Sequence, residues 1–215
     1  MKRYKVIKDF LSCLKENDVA VFAGEDLSKE AYPYDREGNF YVLDSPGIAS
    51  SLALGLAMNT KKRVFIFVGD GECLMELGAY AQTAVSRCKN IFCVILDNDC
   101  YQAAGGSPTI FRAVNSMTGV LFNLGLIFQN YTPHFKGRIS VPAMTKKIGN
   151  LVGPIAILIK VDKGYKKGLE DIDISKVDIK DRMVEFIKNE EIGTSLFVPP
   201  HPLDSFDVNM NGGKV

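Results

Sequence analysis

The chain has 215 residues, 47% hydrophobic and 24% charged, with 26 Lys+Arg against 25 Asp+Glu and a formal net charge of +1. This is the composition of a globular domain, not of a disordered chain. The neutral balance gives no support to nucleic-acid or polybasic membrane binding, and no apolar run approaches the roughly 20 residues that cross a bilayer.

The N-terminus, Met1 to Lys5, is basic. The amphipathic stretch after it carries Lys8, Asp9, Lys15 and Glu16, so it does not read as a signal-peptide core. Residues 3–16 place Val6, Ile7, Phe10, Leu11 and Leu14 at helical spacing, which predicts an amphipathic helix. Val19 to Ala23 predicts a short strand ending at Gly24. Lys29 to Asn39 is polar and turn-rich, and Phe40 to Leu43 predicts a second strand. Pro46 stands before a helix from Ile48 to Met58, at the first-turn position that proline favours. That helix is rich in small residues (Ala49, Ser50, Ser51, Ala53, Gly55, Ala57) and suited to close packing.

Arg63 to Val68 is a continuous apolar run, the signature of a strand buried on both faces in a parallel sheet. A helix is predicted from about Cys73 to Arg87, and Ile91 to Leu96 repeats the buried-strand pattern before Asp97-Asn98. Strand, helix and strand together make a βαβ unit. Pro142 to Asn150 predicts a short helix, Ile155 to Val161 another buried strand, and Ser175 opens a last helix to about Asn189, with Val177, Met183, Val184 and Ile187 as its apolar face. These elements predict an α/β fold, an open and mostly parallel sheet with helices on both faces, over residues 1–190. Residues 191–215, with Pro199-Pro200, Pro202 and Gly212-Gly213, predict an irregular C-terminal tail.

Five cysteines (Cys13, Cys73, Cys88, Cys93, Cys100) form no Cys-x-x-Cys pair, and the two histidines, His134 and His201, lie far from them. A structural zinc site and a histidine-dependent hydrolase are therefore not expected. Free thiols in a reducing cytoplasm are the simplest account.

The segment that carries chemistry is Gly69-Asp70-Gly71, separated by 26 residues from Asn98. Both lie at the carboxyl ends of buried strands of one βαβ unit, where open parallel sheets bind ligands. If the strands are neighbours, the Asp70 and Asn98 side-chain oxygens converge on one small cation. A carboxylate, an amide oxygen and a backbone carbonyl are hard donors that suit Mg²⁺, which completes its octahedron with water and phosphate oxygens. The glycines permit a sharp turn, and the N–H groups of the following helix face the same crevice. No G-x-x-x-x-G-K-[ST] loop is present, and no G-x-G-x-x-G opens a helix after a strand.

Gly-Asp-Gly followed at this distance by Asn resembles the diphosphate–metal motif of thiamine diphosphate enzymes. More narrowly, the chain resembles the small cofactor-binding subunit of sulfopyruvate decarboxylase and the matching half of phosphonopyruvate decarboxylase, over roughly residues 5–165. Three segments carry the resemblance: Phe40 to Ala57, Gly69 to Gly78, and Ile95 to Tyr101 with Gly105 to Thr109.

The resemblance implies thiamine diphosphate and Mg²⁺ as cofactors. Asp70 and Asn98 are then metal ligands, with the backbone carbonyl of Cys100 as the third. Gly69, Gly71, Glu72, Cys73 and Tyr101 surround the diphosphate, with Gly71 and Glu72 holding it through backbone groups. Asp44, Ser45, Pro46 and Gly47 lie under the two cofactor rings. Three positions depart from the family pattern. Asp44 replaces a glycine, and reads either as a proton-transfer or substrate-selecting group or as an outward side chain. Pro46 replaces a bulky apolar wedge. Glu72 replaces a small residue and is expected to point away from the diphosphate or to bond a partner. Tyr101 lines the pocket or merely packs. Cys73 and Cys100 read as small apolar residues, and Lys163, Lys166 and Lys167 as a solvated loop.

The resemblance further implies a lyase that decarboxylates a small anionic 2-oxo acid. The glutamate that activates the cofactor belongs to a pyrimidine-binding subunit, so activity requires that partner, in an α2β2 or larger assembly. Two alternatives stand beside it: a carboligase using the same cofactor, and a non-catalytic structural or regulatory subunit.

Overall fold

A computed structural model describes residues 1–45, 47–111, 117–130, 143 and 151–188. The first helix, α1 (Arg3–Leu11), is shorter than predicted because the chain turns at Ser12. It leads to β1 (Val19–Ala23), α2 (Gly24–Ala31), a 3₁₀ turn and β2 (Asn39–Val42). The helix α2 was not predicted. Leu27 and Ala31 bury one of its faces, and Glu25 and Asp26 in its first turn suit the positive end of a helix, but its polar composition hid it.

The chain continues through α3 (Ala49–Met58), β3 (Val64–Gly69), α4 (Asp70–Met75), α5 (Leu77–Ser86) and β4 (Ile91–Asp97). The single helix predicted from Cys73 is thus two helices, and the first begins at Asp70. A two-stranded hairpin, β5 (Cys100–Tyr101) with β6 (Ser107–Pro108), then α6 (Met117–Asn123) and β7 (Ile127–Asn130) were not anticipated. The chain ends, as far as it is described, with β8 (Ile155–Lys160) and α7 (Lys176–Lys188). Ser175 caps α7 by accepting the Asp178 N–H at 3.1 Å. Its buried residues are Ile179 and Met183, whereas Val177 faces solvent, so the predicted apolar face includes one exposed residue and omits Ile179. The helix predicted over 142–150, apart from Ala143, and the tail over 191–215 lie outside the described residues.

Six strands form one sheet in the order β2-β1-β3-β4-β8-β7, and every pairing in it is parallel. Strands β1, β3 and β4 are buried along their whole length, as their unbroken apolar runs require. Alternate side chains face opposite sides. On one side, Phe10 of α1 packs edge-on against Phe65 and Phe67 at 5.7 and 5.1 Å, while Phe65 stacks on Phe92 at 4.8 Å. Contacts of this kind contribute about 0.5–1.5 kcal/mol each beyond area burial. On the other side, Cys93, paired in register with Ile66, lies near Tyr80 of α5 and Cys73 of α4. Helices therefore cover both faces. The edge strand β2 is covered by α7, where Arg182 donates to Asp35 Oδ2 at 2.7 Å and to the Asn39 carbonyl at 2.8 Å.

All five cysteines are free thiols. No described helix is long and apolar enough to cross a membrane.

Candidate cofactor-binding cleft

The strand order reverses at β1: the chain passes from β1 outward to β2, then returns to β3 on the other side. Such a switch point opens a crevice beyond the strand ends. A cleft of about 290 Å³ lies there. It is bordered by the ends of β1 (Ala23, Gly24), β2 (Leu43, Asp44), β3 (Gly69 to Glu72) and β4 (Asn98), with Cys100 to Ala104 closing one side and Arg3 and Glu25 to Leu27 another.

Gly69 forms the N-terminal boundary of α4, so Asp70 is its first residue. The backbone N–H groups of this first turn have no acceptor within the helix. Strands β3 and β4 are adjacent, and Gly69 pairs with Leu96, which brings Asp70 beside Asn98. The Asp70 carboxylate accepts the Asn98 N–H at 3.3 Å and the Thr109 hydroxyl at 2.5 Å. Asn98 Oδ1 in turn accepts the Cys100 N–H at 3.0 Å.

Asp70 is 1% exposed. Burial pushes its carboxyl up to about 6, Asp97 adds to the shift, and the Thr109 and Asn98 bonds oppose it. It has no ion pair among the described residues. A buried carboxylate left without a countercharge, in contact with the backbone of an asparagine, suits a hard cation. Among the described residues no cluster of three or more His, Cys, Asp or Glu exists, so any metal here would depend on an amide and a carbonyl besides Asp70.

Gly71 is needed for a local reason. A Cβ there would stand 2.6 Å from the Tyr101 ring, which packs directly on its backbone. Tyr101 therefore both packs and borders the cleft. Glu72 does not point away from the cleft. Its Oε2 folds back over Gly69, 2.4 Å from where a Cβ would be, and its Oε1 lies 3.5 Å from the equivalent point on Gly24. Burial raises its pKa above the usual glutamate value. Cys73 does not border the cleft, because the earlier start of α4 turns its side chain into the core.

Asp44 borders the cleft, but its carboxylate is more than half exposed and pairs with Lys176 at the start of α7. Ser45 and Gly47 do not border it, and Pro46 lies outside the described residues. Gly47 has φ +88° and packs beside Met75. Just beyond this segment, the buried carboxylate of Glu76 receives the Ser50 N–H at 3.1–3.2 Å and the Ser50 hydroxyl. Glu76 thus holds the start of α3 from the break between α4 and α5. Lys163, Lys166 and Lys167 are exposed.

Sequence reading missed Arg3, Glu25, Asp26 and Gln102 as cleft residues, for nothing local marks them. Thr109 lay within the Gly105 to Thr109 motif and could have been singled out by its hydroxyl.

Buried parallel strands, a switch-point cleft and a carboxylate–amide pair at its floor define a nucleotide- or diphosphate-binding α/β domain. The profile of the family described as thiamine pyrophosphate enzyme, C-terminal TPP binding domain, matches residues 29–141. The chain belongs to that family. It is 33% identical over 190 residues to the sulfopyruvate decarboxylase subunit beta of Methanocaldococcus jannaschii, a match covering 87% of this chain and 97% of the relative. It is 37% identical over 89 residues to the phosphonopyruvate decarboxylase of Streptomyces hygroscopicus, covering 41% of this chain and 22% of that one. The benzoylformate decarboxylase of Polynucleobacter necessarius shares the fold, with a TM-score of 0.62 at 11% identity, over 77% of this chain and 34% of that one. The chain thus spans about a third of that enzyme and about a fifth of the phosphonopyruvate decarboxylase.

Proposed function

We propose that this chain is the cofactor-binding subunit of a cytoplasmic thiamine diphosphate- and Mg²⁺-dependent decarboxylase of a small anionic 2-oxo acid of the sulfopyruvate or phosphonopyruvate type. The observation that carries this reading is the convergence of Asp70 and Asn98 at the floor of a switch-point cleft, with Asp70 buried and lacking a countercharge. The names of the relatives supply the substrate class.

In this reading Asp70, Asn98 and the Cys100 carbonyl hold Mg²⁺. The N–H groups of Gly71 and Glu72 bind the diphosphate. Thr109 keeps one Asp70 oxygen oriented, and Glu76 holds α3 so that Asp44 to Gly47 form a firm platform. When bound, thiamine diphosphate supplies an electron sink for the loss of CO₂. Asp44, tied to Lys176 at the rim, belongs to the platform through its backbone, and its side chain could transfer a proton or select among substrates only if that pair opens. Residues 1–190 form the cofactor domain, and the pyrimidine-binding subunit with the activating glutamate completes the site as α2β2 or larger. The same platform would serve a carboligase, or an assembly subunit, if Asp44 blocks the parent reaction.

The test is to assay the purified chain with Mg²⁺ and thiamine diphosphate, with and without that subunit, on sulfopyruvate and phosphonopyruvate. Turnover only in the mixture is expected. Appreciable turnover by the isolated chain would refute the split site, and inactivity of the mixture would refute decarboxylation.

A further inference from the structure

Among the described residues, those that border the cleft include five acids (Glu25, Asp26, Asp44, Asp70, Glu72) and one base, Arg3. Lys176 pairs with Asp44, Lys29 pairs with Glu25 at 2.6 Å, and a divalent ion would oppose Asp70, which leaves Asp26 and Glu72 against an entering diphosphate. Arg3 is only 6% exposed and is firmly placed. Its Nε donates to Glu30 Oε2 at 2.8 Å, and the other Glu30 oxygen accepts the Lys166 N–H at 2.9 Å. Just before it, the terminal amine of Met1 is tied to Asp162 Oδ1 at 3.0 Å, and the Met1 carbonyl accepts the Asp162 N–H at 2.9 Å. Yet Arg3 Nη2 is buried with no hydrogen-bond partner. A buried charged donor without an acceptor is costly, and guanidinium is the side chain best matched to phosphate oxygens.

The second observation is Glu72. Its carboxylate occupies the space that Gly69 and Gly24 leave open at the ends of β3 and β1, in the same cleft. An anion is thus already lodged in a cleft whose bordering base is Arg3.

We propose that Arg3 binds the diphosphate of the cofactor, and that the Glu72 carboxylate is an internal anion that must be displaced for it to do so. This rests on the thiamine diphosphate reading above and adds to it a cationic contact from the N-terminal helix and a built-in competitor. The pair sets cofactor affinity: one residue draws the diphosphate in and the other holds it off.

The experiment is calorimetric titration of the full-length chain, alone and with its partner subunit. Mg²⁺–pyrophosphate and Mg²⁺–thiamine diphosphate are the probes, and the proteins are wild type, Arg3→Gln, Arg3→Lys and Glu72→Gln. Loss of a charge-assisted bond to phosphate corresponds to about tenfold or more in Kd. Arg3→Gln should weaken both probes by that factor, Arg3→Lys should recover part of the loss, and Glu72→Gln should tighten both probes about threefold or more. If Arg3→Gln does not fold, because it leaves Glu30 buried and unpaired, Glu72→Gln alone decides, since a gain in affinity is not a result of damage. Unchanged Kd in Arg3→Gln, or unchanged or weaker binding in Glu72→Gln, overturns the proposal. So does a defect confined to the KM of the 2-oxo acid, which would make Arg3 a substrate contact. Wild-type protein that binds neither probe, even with its partner, overturns the cofactor reading itself.

Discussion

Replacing Asp70 by Asn removes one charge and almost no volume, and its two effects have opposite signs. In the folded chain the Asp70 carboxyl titrates at about 6, above its ordinary value of 3.8, chiefly because it is buried. The folded state therefore holds that proton more tightly than the unfolded state. The stabilisation this gives is fully present below pH ~4 and is lost as pH rises through ~6. A displacement of about 2 pH units corresponds to a cost on the order of 3 kcal/mol once the group is ionised. Asparagine carries no such cost: its amide oxygen can replace Oδ1 and accept the Asn98 N–H, while its NH2 takes the place of Oδ2 and donates to the Thr109 hydroxyl, which rotates to accept. In EDTA at pH 7.5, Asp70→Asn should be more stable than wild type by about 1–3 kcal/mol, or about 2–10 °C in Tm for a chain of this size. Its stability should also lack the decline between pH 4 and 7. A ligand at a hundredfold excess over Kd adds about 2.7 kcal/mol. Mg²⁺ with thiamine diphosphate should raise the wild-type melt accordingly and leave the variant where it was. Thermal melts by circular dichroism, at several pH values and with and without ligand, read both effects. A variant less stable than wild type without ligand, or one that still gains from Mg²⁺, would refute the electrostatic account of this carboxylate.

Gly71→Ala should displace the Tyr101 ring, because the new Cβ falls 2.6–2.7 Å from its edge carbons. Overpacking of this kind costs about 1–3 kcal/mol, and Tyr101→Ala in the same chain should recover much of it. Additive losses in the double variant would mean that the ring is not what confines this position. Glu76→Ala should free the start of α3, where Ser50 loses its carboxylate partner, at a cost of about 1–3 kcal/mol in denaturant melts. A loss below about 0.5 kcal/mol would show that the cap contributes little.

The buried strands were readable because a parallel sheet covered on both sides demands unbroken apolar runs, and Val64 to Val68 and Ile91 to Leu96 have them. Helix α2 was not readable, because only Leu27 and Ala31 interrupt its polar run. The break at Glu76 was equally hidden. It serves Ser50, which lies 26 residues away in the chain, and no local pattern records such a bond.

By itself the sequence determined the class of the fold, the thiol state, and the Asp70–Asn98 pair with its spacing. These follow from local patterns of burial and from a motif whose members sit at strand ends. Only the tertiary structure decided what else faces the cleft. Arg3 is far from Gly69 in the chain, and the clasp between Met1 and Asp162 helps place it at the cleft. Glu72 was expected to point away from the diphosphate or to bond a partner, yet it turns inward, because glycine at 69 and 24 leaves space that a carboxylate fills. Strand order and the absence of two Cβ atoms determine those placements, and neither can be read from periodicity along the chain.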